Sequence, residues 1–212
     1  MSEKMSTKEK IAYEALRLFA EKGYKGTSVK NIADAIGIKD SSLYKHYRSK
    51  QEILDTIMLE ISKSIEEMSH NMGIPSEEDY EQAVSFYARM DQDTLVAFSK
   101  KIFLFYLEDE LLSRFWRMGN MEQYQNEQVY TLFKTFFFEK SISYQSALFA
   151  AMIQKDIFIQ TDPEVMAMNF YAPIYFLLSK YAGTEGKEEE ALAILDKQVR
   201  EFYRIYRKSP VT

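Results

Sequence analysis

Cysteine is absent from the 212 residues, so neither a disulfide framework nor a thiolate metal site can form. Glycine (7) and proline (4) are scarce, and the polar runs are short, which argues against long linkers and disorder. The two histidines, His46 and His70, lie 24 residues apart with no second ligand at metal spacing, so no metal site is expected. Long apolar runs are missing too. The longest nearly apolar stretch, Val165 to Leu178, is short for a membrane span and contains Asn169 and Pro173. The first eight residues hold no apolar signal region, so a soluble, cytoplasmic protein without membrane contact is expected. No nucleophile elbow and no Gly-rich phosphate loop occurs, and Glu108-Asp109-Glu110 and Glu188-Glu189-Glu190 read as solvated helix starts. Neither an enzyme nor a bound cofactor is expected.

What is present is helical periodicity along nearly the whole chain, with charge unevenly shared. The total of −5 argues against nucleic acid, yet residues 1–50 hold eleven Lys/Arg against six Asp/Glu, a balance of +5. The remaining residues hold sixteen against twenty-six, a balance of −10. A basic end on an acidic body suits a protein that meets phosphate with one face only.

The basic end contains the most informative segment, residues 24–54. Thr27 reads as an N-cap, and Val29, Ile32, Ala33 and Ile36 recur at helical spacing. Gly37 then supplies the turn that ends a helix of about two turns. Ile38 and Leu43 can face inward, leaving Lys39, Asp40, Ser42, Tyr44 and Lys45 outside. Ser49 and Glu52 match a capping box, so a further helix starts at Lys50. Two short helices joined by a tight Gly turn, the second with polar, aromatic and basic residues outward, have the build of a helix-turn-helix.

From Ala15-x-x-Leu-Phe-Ala-Glu-Lys-Gly-Tyr through Leu54 the chain resembles TetR-family transcriptional regulators. Thr27-Ser28-Val29, Ile32-Ala33, Ile36-Gly37-Ile38, Leu43-Tyr44, His46-Tyr47 and Ser49-Lys50 fall on that family's usual positions. Ser41 is a departure, since family members often carry Gly there. The resemblance implies an all-α fold of about nine helices, in which residues 1–50 form a three-helix DNA-binding domain and residues 51–212 a helical effector-binding and dimerisation domain. It implies a homodimer on a palindromic double-stranded operator, and it places phosphate contacts at Thr27, Tyr44, His46, Tyr47 and Lys50. Lys39, Asp40, Ser41, Ser42 and Tyr44 lie on the expected DNA face. Lys39 could reach guanine acceptors, Asp40 a cytosine amine, and the Tyr44 ring a thymine methyl.

Beyond the motif, Ser6 and Glu9 form a capping box for a first helix with Ile11, Ala15, Leu18 and Phe19 inward and Gly23 at its end. Lys50 to His70 forms a long helix, followed by a break at residues 71–75 and a helix capped by Ser76 with Asp79. Gly119-Asn120 reads as another break, with Met121 to Glu139 and Tyr144 to Lys155 helical after it. Asp162-Pro163-Glu164 is a strong helix start, and the final helix runs to about Lys208, before Pro210. Pro173 should kink the first of this last pair. Phe170, Ile174, Leu177, Leu195, Val199 and Phe202 are the expected dimer contacts on these helices. The same residues could instead close a monomer core.

Aromatic side chains concentrate in the middle of the chain. Any one of them reads as core, but their number suggests gaps. The family resemblance implies a cavity there for a small effector, largely apolar or aromatic, with Phe86, Tyr87, Phe103, Tyr106, Trp116, Tyr124, Phe133 and Phe137 as candidate lining. The function expected is a sequence-specific regulator, a repressor released by that effector. Two alternatives stay open: a DNA-binding protein controlled by a protein partner, and a helical-bundle enzyme.

Overall fold

The computed structural model describes residues 5–75, 79–184 and 186–208. Within them eleven α-helices and one π-helical turn occur, with no strand beyond an isolated antiparallel bridge between Phe158 and Arg207. The first helix, α1 (Thr7–Lys22), begins on the expected box: Ser6 Oγ accepts from the Glu9 N–H and the Glu9 carboxylate accepts from the Ser6 N–H. Then follow α2 (Val29–Ile36), the short α3 (Asp40–Leu43) and the long α4 (Lys50–Asn71). Asp79 caps α5 (Tyr80–Ala88) through the Gln82 N–H, while Ser76 lies outside the described residues. The rest are α6 (Gln92–Glu108), α7 (Glu110–Glu122), α8 (Glu127–Lys134), the π turn (Thr135–Glu139), α9 (Lys140–Gln154), α10 (Pro163–Tyr181) and α11 (Glu188–Tyr206). Pro210 also lies outside the described residues.

Two of the expected breaks do not occur. The helix α7 runs through Gly119 and Asn120, and α8 continues through the π turn into α9. Gly119 is small for a packing reason: a Cβ there would stand 2.1 Å from Cδ2 of Phe133, so α8 can approach α7 only over a glycine. With α8, the π turn and α9 continuous in sequence, the described residues form ten helical rods where about nine were expected. Pro173 sits inside α10, and the helix continues on both sides of it.

These helices form two compact units, residues up to 67 with 109–134, and residues 68–108 with 135 onward. In the first, α7 packs on α1. The Tyr13 hydroxyl donates to Glu110 at 2.8 Å, the Arg114 guanidinium lies 4.4 Å from the Tyr13 ring centre, and the Ser64 hydroxyl donates to Asp109 at 3.1 Å. Phe133 fills the space between Phe115 and Trp116, with ring centres 6.1 and 5.5 Å away.

In the second unit, Phe202 of α11 is surrounded by Phe149, Phe170 and Tyr206 at 5.6, 4.8 and 4.7 Å. An ionic clamp ties α6 to α11: Lys100 to Asp196 at 2.7 Å, Arg200 to Asp196 at 2.6 Å, and Arg200 to Asp93 at 2.7 Å.

This packing corrects four of the six expected dimer contacts. Leu177, Leu195, Val199 and Phe202 are buried in their own unit's core, and Phe170 and Ile174 are half-buried. The physical reason is competition: the most apolar stripe of each helix is taken first by the subunit's own core. The apolar side chains that α10 and α11 leave in solvent are different ones, Val165, Met168 and Phe176 (63 % exposed) on α10 and Ile194 and Ile205 on α11.

Candidate nucleic-acid interface

The turn between α2 and α3 follows from glycine chemistry. Gly37 adopts φ 74°, ψ 30°, the left-handed region that glycine enters without a Cβ penalty. The Ile38 N–H then reaches back to the Ala33 carbonyl at 3.0 Å, so the chain closes α2 and re-enters a helix at once. The α3 helix has only four residues in regular α geometry. Tighter turns extend it, with Lys45 N–H on Ser42 at 3.2 Å and His46 N–H on Leu43 at 2.9 Å. Leu43 and Tyr47, both fully buried, anchor the end of α3 and the turns that follow it.

Three expected contact residues are used internally. Thr27 does not cap α2. That role belongs to Ser28, whose hydroxyl accepts from the Asn31 N–H at 3.1 Å while Asn31 Oδ1 accepts from the Ser28 N–H at 2.9 Å. Thr27 is 1 % exposed, and its hydroxyl lies on the carbonyls of Leu18 and Gly23 at 3.2 and 3.0 Å. Tyr47 is also 1 % exposed. Its hydroxyl donates to the Lys8 carbonyl at 3.1 Å, and burial pushes its pKa up. Lys50 donates to the carbonyls of Tyr24 and Thr27 at 2.7 and 2.9 Å, with its ammonium 4.1 Å from the Tyr24 ring centre. Desolvation lowers the Lys50 pKa and the charge of Glu122 opposes that shift. All three brace the reading unit from within: the Thr27 and Tyr47 side chains are buried, and two of the three Lys50 ammonium N–H groups go to carbonyls.

The remaining candidates lie within residues 39–46, on and around α3. Lys39, Asp40, Ser41, Tyr44 (55 % exposed) and His46 are exposed, and Ser42 is half-buried. Lys30, Lys45 and Arg48 are exposed as well; the sequence placed Lys45 on the outer face, but none of the three was expected as a contact. Only Lys30 carried a signal for it, as a cation next to Val29 on the inward stripe of α2. The Ser49 hydroxyl caps α4 by accepting from the Glu52 N–H at 3.1 Å, but the Glu52 carboxylate takes the Arg48 N–H at 2.6 Å, so the expected box is only half formed.

The candidate effector residues are divided between the two units. Trp116, Tyr124 and Phe133 belong to the first unit, and Phe86, Tyr87, Phe103, Tyr106 and Phe137 to the second. Tyr124 is 90 % exposed, while Trp116 and Phe133 pack edge to face in a core. In the second unit Phe103 and Phe137 are buried, Tyr87 packs on Phe86 and Phe98, and burial raises the Tyr87 hydroxyl's pKa well above its ordinary value. A groove of about 620 Å³ runs along α9, lined by Phe138, Ile142, Ser146, Ala150 and Glu164 among others, and none of the eight candidates lines it. Among the described residues no helix is long and apolar enough to cross a membrane, and no group of three or more His, Asp or Glu could hold a metal ion.

The family profile described as bacterial regulatory proteins, tetR family, matches residues 11–57, which span this helix-turn-helix and the start of α4. The likeness to the TetR family is thus carried by residues 11–57. TetR-family proteins are DNA-binding transcriptional regulators. The biofilm operon icaADBC HTH-type negative transcriptional regulator IcaR of Staphylococcus epidermidis is 50 % identical over 46 residues, 22 % of this chain and 25 % of that protein. The match thus spans about a quarter of the length of the curated relatives. Among solved structures, a TetR-family transcriptional regulator from Mesorhizobium loti is similar with a TM-score of 0.67, 17 % identity, and coverage of 95 % of this chain and 96 % of the other. The SmeT–triclosan complex reaches the same TM-score at 18 % identity, covering 98 % and 95 %. At such identities the likeness carries the fold alone.

Proposed function

We propose that this chain is a sequence-specific transcriptional repressor, homodimeric on a palindromic operator and released by a small, largely apolar or aromatic effector. The carrying observation is the face exposed on and around α3: Lys39, Asp40, Ser41 and Tyr44 stand in solvent while Leu43 and Tyr47 anchor the same segment. Lys30, Lys45, His46 and Arg48 serve phosphates, and Lys39, Asp40, Ser42 and Tyr44 reach base edges in the major groove. Residues 1–50 act as the reading domain and residues 51–212 as the effector-binding and dimerisation part. Val165, Met168, Phe176, Ile194 and Ile205 meet their symmetry mates in a four-helix contact. Support for repression comes from the negative regulator IcaR, and support for an apolar effector from the triclosan held by SmeT.

Release works through α4, which runs from residues of the first unit into the second. An effector that binds one tilt of this helix better than another changes the spacing of the two reading helices. Only such differential affinity couples the sites, typically by about 1–3 kcal/mol. The packing of Trp116, Phe133, Phe103 and Phe137 in their cores favours a second reading, control by a protein partner without a small effector.

The test is selection from a random double-stranded DNA pool at moderate salt, followed by sequencing. A retained palindrome supports the dimeric reader and supplies the probe for effector screens, whereas salt-labile binding without a motif refutes it. In a thermal-shift screen, stabilisation by polar acids alone would refute the apolar effector.

A further inference from the structure

Glu122 is a buried carboxylate with the charge of Lys50 acting on it. It is 1 % exposed, and burial of a charge is costly unless every lone pair is satisfied. It is also the last residue of α7, where the helix dipole is negative and an anion is disfavoured. One oxygen, Oε2, is buried with no hydrogen-bond partner, a condition that native proteins rarely tolerate without a reason. Three penalties converge on one side chain.

Its other oxygen shows what is gained. Oε1 accepts the Tyr24 N–H at 2.7 Å, and Lys50 donates to the Tyr24 carbonyl at 2.7 Å. The backbone of Tyr24 is therefore held at both polar groups, by an acid from the end of α7 and a base from the start of α4. Beside it, Gly23 takes φ 78°, and a Cβ there would stand 2.8 Å from Glu122 Oε1. Lys25 adds a bond to the Gln125 carbonyl in the loop after α7. Tyr24 lies four residues ahead of Ser28, whose side chain caps α2, so the clamp sets how α2, and α3 after it, leave α1.

We propose that Glu122 is a positioning residue for DNA reading: it fixes the α1–α2 loop so that α2 and α3 present the exposed face in one orientation. The proposal rests on the DNA-binding reading above and adds to it a residue far in sequence from the motif. Glu122 touches no phosphate itself, so its loss should change affinity without changing the number of ions released.

The experiment compares wild type, Glu122→Gln and Glu122→Ala by amide hydrogen exchange in the free protein and by binding to the selected DNA over a salt series. Gln keeps an acceptor for the Tyr24 N–H and guards against a variant that merely fails to fold. In Ala, exchange should accelerate at Tyr24 and through α2, and DNA affinity should fall about tenfold, the worth of one hydrogen bond to a charged group. The salt slope should stay unchanged, and Gln should fall between wild type and Ala. Unchanged exchange overturns the proposal whatever the DNA result. Faster exchange with unaltered affinity overturns it too, reducing Glu122 to a packing role. If wild type selects no sequence, the regulator reading fails on its own, and exchange still decides whether Glu122 fixes the loop.

Discussion

The reading segment and the last two helices divide their residues in opposite ways. In residues 24–50, polar side chains go both inside and outside: Thr27 and Lys50 turn onto backbone carbonyls, while Lys39, Lys45 and Arg48 stay in water. In α10 and α11 it is apolar side chains that divide, with Leu177 and Val199 in the core and Phe176 and Ile194 in solvent. Residue type therefore misassigns both regions, in different directions. A polar group goes inside where carbonyls without a helical partner await it, as the loop after α1 provides. An apolar group stays outside where the core is already full.

The strongest way to break this comparison is to trade a core residue against a surface one on the same helix pair. Phe202→Ala removes a ring held among Phe149, Phe170 and Tyr206 and should cost about 3–5 kcal/mol in denaturant unfolding. Phe176→Glu should change the stability of the subunit little, about 0.5 kcal/mol or less, yet shift sedimentation from dimer to monomer. A Phe202→Ala protein that dissociates without losing stability would return Phe202 to the interface and undo the assignment.

The next effect separates Lys50 from its exposed neighbours. Lys50→Met removes two bonds from a cation to the carbonyls of Tyr24 and Thr27, with an expected stability loss of about 1.5–3 kcal/mol. The slope of DNA affinity against salt should hold. Lys45→Ala should do the reverse, preserving stability while reducing that slope by about one. If the Lys50 variant shows the reduced slope, its ammonium reaches phosphate after all.

Much of the fold was legible because its signals are local. The Ser6–Glu9 box, Gly37, Asp162-Pro163 and the long α4 depend on residues within a turn of one another, and each stands where periodicity and caps placed it. What was illegible depends on distant partners. Gly119 looks like a break until Phe133 is known to press on it. Thr27 looks like a cap until the carbonyls of Leu18 and Gly23 claim its hydroxyl, and Ser28, next in the chain, serves instead. Glu122 gave no signal at all, since only the fold brings it to Tyr24, 98 positions away.

A finer comparison lies within α3, between residues that share exposure and differ in chemistry. Lys39→Ala and Asp40→Ala should each relax preference at a single base pair, by about 1–3 kcal/mol of discrimination. Selected pools from the two variants should therefore differ from wild type at different positions. If both lose the same position, or neither loses any, these side chains contact the backbone only and specificity lies in Tyr44 or in DNA shape.

The smallest effect concerns the cap of α1, the part of the reading unit that the sequence specified most fully. Bonds from the Ser6 N–H and hydroxyl hold the Glu9 carboxylate below its ordinary pKa. A depressed folded pKa means that the carboxylate's contribution is complete above the ordinary glutamate range, near pH 4.3, and is lost as pH falls through the folded value. Glu9→Gln can still close the box but cannot titrate. Thermal midpoints of the two proteins should differ at neutral pH, with wild type higher, and converge in acid. A constant gap across the titration would mean that the carboxylate's charge adds nothing to the cap, and that Ser6 holds the start of α1 through its hydroxyl alone.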